Sequence, residues 1–284
     1  MRRLRYFHHR SNTVPAGRLK NRTGTPANQL IALLTDFGSG DHYVATVKGV
    51  ILSVNPRARI VDLSHEVRPH NIREAGYLLW ASYRYFPAGT VFVCIVDPGV
   101  GSDRRILCIE TAKNTFIAPD NGLLDLVLLQ EDVRSSYEIL PSARMLTNPI
   151  SATFHGRDIF APVAAHRSMG TSAARFGKRA EIRKSAPLFY EPEKGTTKTF
   201  ILHIDRFGNI VTNIPAKYFE QCSLEIGGTR VAKRIRTFVE APAGQPSLIV
   251  GSSGLIEVVL KERSAAENLG ASPGAPIKWI SASG

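Results

Sequence analysis

The apolar run Val91 to Val96 most constrains the fold, because it ends directly in an acid and a tight turn. The next residues are Asp97, Pro98 and Gly99. A short apolar run bounded by proline and glycine is typical of a buried strand. Pro98 favours an extended conformation at Asp97, and Gly99 lets the backbone bend sharply. The sequence therefore predicts a core strand that delivers a carboxylate onto a turn.

Two arginines follow this turn, and the first of them, Arg104, is placed to meet Asp97 across it. An arginine beside a carboxylate is either a structural salt bridge or part of a functional site, since perturbed ion pairs occur in both settings. These residues alone leave the two interpretations open.

Residues 29 to about 170 alternate strand-like apolar runs with segments of helical apolar spacing. This alternation predicts an α/β domain with a largely parallel or mixed sheet that is covered on both faces. The predicted strands are 29–34, 59–63, 91–96, 106–110 and 115–118, and the predicted helices are 42–54, 72–85, 123–129 and 159–168.

The second part of the chain has a different residue pattern, in which short strand-like runs are separated by Gly, Pro or Asn turns. Such spacing predicts a small antiparallel barrel or sandwich. The predicted strands are 199–204, 210–212, 223–226, 229–232, 236–239, 247–250 and 255–260. The predicted organisation is a disordered basic tail (1–28), an α/β domain (29–180), a linker (181–196) and a smaller β-barrel domain (197–284).

The net charge of +12 is unevenly distributed, because seven of the excess positive charges lie in the first 30 residues, which contain no acid. The remaining body is only mildly basic, so nucleic acid is an unlikely partner. No apolar run approaches the ~20 residues needed to span a bilayer, and we expect a soluble protein. The scattered Cys94, Cys108 and Cys222 suit core positions in a reducing cytoplasm.

Polar residues follow several of the predicted strands. Asp36 can accept both hydroxyls of a ribose, or it can cap the next helix, for which Asp41 is better placed. His65, Glu66 and His70 resemble metal ligands, but a single loop does not establish convergent geometry, and we predict no metal site.

Two further polar segments have both a functional and a structural interpretation. His155 precedes a predicted helix, where a histidine either serves a site or caps and packs. The turn 205–209 supplies an acceptor, an aromatic face and an amide that suit a purine, although it is also an ordinary hairpin turn.

Five motifs, taken together and in order, resemble the S-adenosylmethionine hydrolase family that releases adenosine, which is related to bacterial fluorinase and chlorinase. The resemblance covers about residues 29 to 281. The motifs are T-D-F-G at 35–38, V-D-P-G-V-G-S-D-R-R at 96–105, A-P-D-N-G at 118–122, T-F-H-G-R-D at 153–158 and D-R-F-G-N-I-V-T-N at 205–213.

The resemblance implies an α/β domain and a β-barrel domain in a homotrimer, with active sites between the first domain of one subunit and the second domain of a neighbour. It implies S-adenosylmethionine as substrate and no cofactor. It also implies that Asp97, Arg104 and His155 handle the attacking water, a set that the halogenases lack.

The resemblance also implies a set of substrate-binding residues. Asp36 is expected at the ribose hydroxyls, and His70 is expected where the halogenases place a tryptophan against the sugar. The expected sugar and sulfonium pocket includes Phe86 and Phe154, and Gly156 is a further expected substrate-binding residue. The neighbouring subunit is expected to supply Asp205, Phe207 and Asn209, of which Phe207 and Asn209 contact adenine. Ser252 and Ser253 fall in the segment that is expected to contact the methionine end. Lys261 and Arg263 depart from the family pattern beside this last segment.

The implied reaction is attack of water at C5′ of the ribose with methionine as leaving group. Two other functions stay open at this point. One is an S-adenosylmethionine-dependent halogenase that uses chloride, and the other is a non-catalytic protein that binds nucleosides or RNA.

Overall fold

A computed structural model describes residues 29–183 and 188–281, so the predicted basic tail lies outside the described residues. The chain divides into two compact units, with the boundary between residues 185 and 186. The domain and linker bounds drawn from the sequence stay predictions. No helix in the described ranges is long and apolar enough to cross a membrane.

The first unit is built on a seven-stranded mixed sheet in the order β2-β1-β3-β5-β4-β6-β7. The four strands β2, β1, β3 and β5 are mutually parallel, while β4, β6 and β7 add in antiparallel pairs. The strands are β1 (Leu30–Thr35), β2 (Arg59–Ser64), β3 (Val91–Ile95), β4 (Ile106–Thr111), β5 (Thr115–Pro119), β6 (Val133–Ile139) and β7 (Gly177–Arg179).

The helices of this unit turn apolar stripes towards the sheet. Helix α1 buries Val47 and Ile51, and α4 buries Val163, all in one core with the residues of β1 and β3. Asn71 caps α2 by accepting a hydrogen bond from the Glu74 amide at 3.1 Å. The helices are α1 (Tyr43–Val54), α2 (Ile72–Ser82), α3 (Asp125–Leu128) and α4 (Ala161–Ser168), and a π-helical turn (Gly156–Phe160) leads into α4.

The strand order has a consequence for function. Strands β2 and β3 lie on opposite sides of β1, so the chain leaves β1 in one direction and later returns on the other side. In open α/β sheets the carboxyl ends of strands at such a reversal form the crevice that receives ligands. Asp36 follows β1 and Asp97 follows β3, and both carboxylates therefore lie at this edge.

The second unit contains two antiparallel sheets that share one core. The four-stranded sheet has the order β12-β13-β9-β8, and the three-stranded sheet has the order β11-β10-β14. Ile210 and Ile256 from one sheet and Leu224 from the other are fully buried together. Its elements are β8 (Ile201–Ile204), β9 (Ile210–Pro215), β10 (Cys222–Ile226), β11 (Thr229–Val231), β12 (Ser247–Val250), β13 (Leu255–Val259), α5 (Ala265–Asn268) and β14 (Lys278–Ser281).

The predicted fold class, an α/β unit followed by a smaller antiparallel β unit, is confirmed. The strand predicted at 236–239 is wrong, because the chain forms a 3-10 turn at Phe238–Glu240. The Glu240 carboxylate accepts the Arg236 amide at 2.9 Å and closes this turn locally. Strand β6 was missed because V-R-S-S-Y-E-I is mostly polar, and it is recognisable only through its pairing with β4.

The pairing of β7 with β6 depends on Gly177, which lies opposite Ile139. A Cβ at Gly177 would overlap the carbonyl oxygen of Glu138. We predict that Gly177→Ala lowers the free energy of unfolding by about 1 to 3 kcal/mol, as expected for an overpacked site. Urea denaturation followed by circular dichroism measures the change.

The matched control is Gly49→Ala in α1, where an added methyl group meets nothing within 4 Å. Alanine is a better helix former than glycine, so this variant should gain up to about 1 kcal/mol. Equal stability of the two variants would contradict the packing argument for Gly177.

Candidate active site

The contact between Asp97 and Arg104 is the centre of the site. Arg104 Nε donates to both carboxylate oxygens of Asp97, at 3.0 and 2.8 Å, and Nη2 donates to Oδ2 at 2.5 Å. The two side chains retain only 6% and 13% of their exposure. Ion pairs shielded from water in this way interact more strongly than exposed ones.

His155 joins this pair through the same guanidinium group. Arg104 Nη2 lies 2.7 Å from His155 Nδ1. A guanidinium group can only donate hydrogen bonds, so Nδ1 must accept, and the ring proton of the neutral imidazole lies on Nε2. Burial and the charge of Arg104 lower the pKa of His155, while the charges of Asp97 and Asp158 and an interaction with the Ser151 backbone raise it less. The ring is therefore neutral near pH 7.

The segment before His155 is held by the buried carboxylate of Asp158. Asp158 accepts the Ser151 amide at 2.8 Å and two hydrogen bonds from Arg157 at 2.7 and 2.9 Å. The carbonyl oxygen of Ala152 packs so closely on Gly101 that a Cβ there would overlap it. The turn after β3 and the segment before α4 are thus packed together, which brings the three predicted catalytic residues into contact.

Asp36 is the second carboxylate at this edge of the sheet. Its Oδ2 accepts a hydrogen bond from the His70 amide at 2.9 Å. Its Oδ1 accepts no hydrogen bond from any residue that the structure describes. His70 adopts a left-handed backbone conformation, with φ of 65°. Neither Asp36 nor Asp41 caps α1, because the N-cap residue is His42 and its side chain makes no capping bond. The structure thus links Asp36 to His70 and leaves one carboxylate oxygen for a ligand.

An aromatic cluster surrounds the predicted sugar pocket residue Phe154. The ring of Phe154 lies 5.1 Å from Tyr43 and 6.1 Å from Phe37, between ring centroids. A Cβ at Gly156 would come within 3.2 Å of the Phe154 ring, so this glycine leaves room for it. The ring contact of Phe86 is instead with Phe92, at 5.3 Å. Sequence reasoning missed Phe37 and Tyr43, although Phe37 lies inside the T-D-F-G motif.

His65 supports the end of β1 through one hydrogen bond and one close contact with a carboxylate. Its Nδ1 lies 2.9 Å from the hydroxyl of Thr35, and its Nε2 lies 3.0 Å from Asp62 Oδ1. Lys48 Nζ donates to the other oxygen of Asp62 at 2.6 Å. Within the described ranges, no group of three or more His, Cys, Asp or Glu side chains converges as a metal site.

In the second unit, Asp205 organises the turn that was predicted to contact adenine. Its carboxylate accepts the backbone amides of Phe207 and Asn209 and the side-chain amide of Asn209, each at 2.9 Å. Phe207 is 78% exposed, whereas Asn209 is buried. Phe207 and Asn209 line a cleft of about 550 Å³, which is also lined by Phe238, Leu260, Glu262, Arg263 and Ser264.

Ser252 and Ser253 occupy the turn between β12 and β13. Ser252 is exposed. The hydroxyl of Ser253 is buried and has no hydrogen-bond partner among the residues that the structure describes. Of the two residues that depart from the family pattern, Arg263 lines the cleft of Phe207.

Comparison with known proteins assigns both units to one family. Residues 31–177 match the model of the SAM hydroxide adenosyltransferase N-terminal domain, and residues 199–278 match that of the C-terminal domain. The chain belongs to the SAM hydroxide adenosyltransferase family.

Two named relatives and one crystal structure show what this chain is similar to. A Thermus thermophilus protein named (R)-S-adenosyl-L-methionine hydrolase is 38% identical, over 88% of this chain and 99% of the relative. A fluorinase of Actinoplanes sp. is 28% identical, over 81% of this chain and 90% of the relative. The crystal structure of an uncharacterized conserved protein from Thermotoga maritima matches with a TM-score of 0.78 and 34% identity, over 88% and 99% of the two chains.

We predict that the His155 ring is neutral at pH 7, with its proton on Nε2, because Arg104 occupies Nδ1 and lowers the ring pKa together with burial. Nitrogen-15 NMR of labelled protein distinguishes the tautomers, and the His155→Gln spectrum assigns the signal. As the pH is lowered, the ring should take up its second proton at a lower pH than an ordinary histidine does.

The Arg104→Gln variant removes the positive charge and should move the His155 pKa upward. A proton on Nδ1 of the unsubstituted protein at pH 7 would contradict the geometry at Arg104.

Proposed function

We propose that this chain hydrolyses S-adenosyl-L-methionine to adenosine and L-methionine. The observation that carries the proposal is the hydrogen-bonded, partly buried cluster of Asp97, Arg104 and His155 at the carboxyl edge of the sheet. The name of the Thermus thermophilus relative supports the reaction and specifies the R configuration at sulfur. We therefore propose the R epimer as the preferred substrate.

The proposed step is a displacement at C5′ of the ribose. A bond forms between the water oxygen and C5′, while the C5′–S bond breaks and its electron pair moves to sulfur. The sulfonium becomes a neutral thioether, so a pocket that solvates the cation poorly favours its departure. The protein must hold water in line with the breaking bond, and such positioning is worth several kcal/mol.

The water must lose a proton, and the hydrogen bonds around Arg104 indicate the acceptor. His155 Nδ1 already accepts from Arg104, and Nε2 carries a proton, so the neutral ring has no free acceptor. Oδ1 of Asp97 accepts one hydrogen bond from Arg104 and so retains acceptor capacity, whereas Oδ2 accepts two. We infer that Asp97 accepts the proton and that His155 orients the water oxygen by donating from Nε2.

The remaining predicted residues are proposed to bind the substrate. The free oxygen of Asp36 suits a ribose hydroxyl, and Phe154 with Gly156 suits the sugar and sulfonium. His70 and Phe86 keep their proposed places near the sugar. In the second unit, the proposed adenine contacts are Phe207 and Asn209, Asp205 is proposed as a further substrate-binding residue, and the proposed methionine contacts are Ser252 and Ser253.

We also propose the homotrimer, with each site shared by two subunits. The high exposure of Phe207, at 78%, supports this proposal, because an aromatic ring that binds adenine needs cover from another surface. Analytical ultracentrifugation that finds a monomer would overturn it.

The three buried, unpaired cysteines support a cytoplasmic location, which we propose as well. Cell fractionation with an antibody to the protein tests the location, and recovery outside the cytoplasm would overturn it.

Product analysis distinguishes hydrolysis from halogenation, which the similarity to a fluorinase makes the second candidate. In water enriched in oxygen-18 and containing chloride, we predict adenosine with one heavy oxygen at the 5′ position. Mass spectrometry measures the label. Formation of 5′-chloro-5′-deoxyadenosine would favour the halogenase, and separate assays of the two sulfur epimers test the preference for R.

We predict that Asp97→Asn lowers kcat by about 100- to 10,000-fold, because the amide cannot accept the proton. Binding of adenosine should change by less than about threefold, since the side chain keeps its size. Steady-state kinetics and calorimetry measure the two quantities. Undiminished turnover would remove Asp97 from the proposed role.

Mixing Asp97→Asn with Asn209→Ala subunits tests whether the sites are shared. If each site combines the first unit of one subunit with the second unit of another, about a quarter of the sites in random trimers carry neither substitution. Turnover should then recover to about a quarter of the unsubstituted level. Trimers with no recovery would place each site within one subunit.

A further inference from the structure

Glu257 is an acidic residue in a largely apolar part of the second unit. It lies in β13, opposite Ile249 on β12 and Val211 on β9. Both neighbours are almost fully buried, with exposures of 4% and 3%. A carboxylate among such residues loses hydration, so its presence requires a partner or a function.

No described residue supplies a hydrogen bond or an ion pair to the carboxylate of Glu257. Other acids of this unit do have a cation: Glu225 lies 3.2 Å from Lys278, and Glu193 pairs with Lys217. Burial, and then the negative charge of Asp205, raise the pKa of Glu257 to about 7. A cation beside Glu257 would stabilise its charged carboxylate and so would offset both the lost hydration and the repulsion from Asp205.

The position of the carboxylate links Glu257 to the turn between β12 and β13. Its oxygen lies so close to Gly251 that a Cβ there would overlap it. Gly251 begins this turn, which the Gly254 amide closes by donating to the Gly251 carbonyl at 2.9 Å. The buried hydroxyl of Ser253, which lacks a partner in the described ranges, belongs to the same turn. One hairpin therefore carries two polar groups without partners.

The methionine part of the proposed substrate carries two cationic groups, the ammonium and the sulfonium. An ammonium has three N–H donors that need acceptors, and a carboxylate with a hydroxyl supplies them. A sulfonium has no N–H group. A carboxylate beside the sulfonium would also stabilise the charge that the reaction removes, and so would slow the reaction. The chemistry of the pair therefore fits the ammonium.

We propose that Glu257 and Ser253 bind the ammonium group of the methionine part of the substrate. The inference rests on the proposed function and adds a residue, Glu257, to it. The contact is the same before and during displacement at C5′, so it contributes to binding and not to the chemical step.

Calorimetry with three ligands tests this assignment on the full-length protein. S-adenosylhomocysteine keeps the ammonium but lacks the sulfonium charge, whereas 5′-methylthioadenosine and adenosine lack both. Glu257→Gln should weaken binding of S-adenosylhomocysteine by about 10- to 100-fold and leave the other two ligands within about twofold. The Glu257→Gln substitution should also raise KM for S-adenosylmethionine with little change in kcat. Ser253→Ala should show the same pattern with smaller changes in affinity and KM.

Glu225→Gln is the matched control, because Glu225 lies on β10 in the other sheet and pairs with Lys278. It should leave all three ligands unchanged. Equal weakening of all ligands by Glu257→Gln would show a structural role and overturn the proposal, as would unchanged binding of S-adenosylhomocysteine. If the unsubstituted protein binds adenosine analogues but turns over no S-adenosylmethionine, the hydrolase function fails while the ammonium contact can still be judged from the binding series.

Discussion

The site depends on the hydrogen bonds of the Arg104 guanidinium group. It donates to Asp97, from the turn after β3, and to His155, from the segment before α4. A group that can only donate forces both partners to accept, which fixes the neutral imidazole as the Nε2–H tautomer. One residue thus holds two others that are more than fifty positions apart in sequence, and it sets the tautomer of one of them.

The mixed sheet makes this contact possible. Strands β1 and β3 are parallel neighbours, so the residues that follow them emerge at one edge, with Asp36 after the first and Asp97 after the second. The buried carboxylate of Asp158 then holds the Ser151 amide, and Ala152 packs on Gly101. Backbone packing of this kind limits the motion of the side chains that we propose hold a water molecule in line with the breaking bond.

The two units contribute different kinds of polar group. In the first unit, Asp97 has a cationic partner in Arg104, and Asp36 keeps one free oxygen beside its bond to the His70 amide. In the second unit, Asp205 accepts two backbone amides of its own turn and the side-chain amide of Asn209, while Glu257 has no partner among the described residues. Free acceptors on a rigid hairpin suit a ligand that brings its own donors, because the protein does not need to break an internal hydrogen bond first.

The sequence predicted most strands and helices of the first unit, because apolar runs such as Val91–Ile95 are long enough to be recognised as strands without knowing which strands they pair with. Strand β6 and the 3-10 turn at Phe238–Glu240 did not follow, since the first is set by pairing with β4 and the second by a local hydrogen bond. The contacts of Phe37 and Tyr43 with Phe154 likewise needed the packed structure.

The sequence by itself determined the element types, the order of the motifs and the carboxylate at the end of β3, because these depend on local composition and spacing. Only the tertiary structure decided that Arg104 bonds to His155 as well as to Asp97, and that Glu257 lies against Gly251 with no partner in the part of the chain that the structure describes. The physical reason is that hydrogen bonding and burial depend on which distant segments meet in space. Local sequence spacing does not specify which distant segments come into contact.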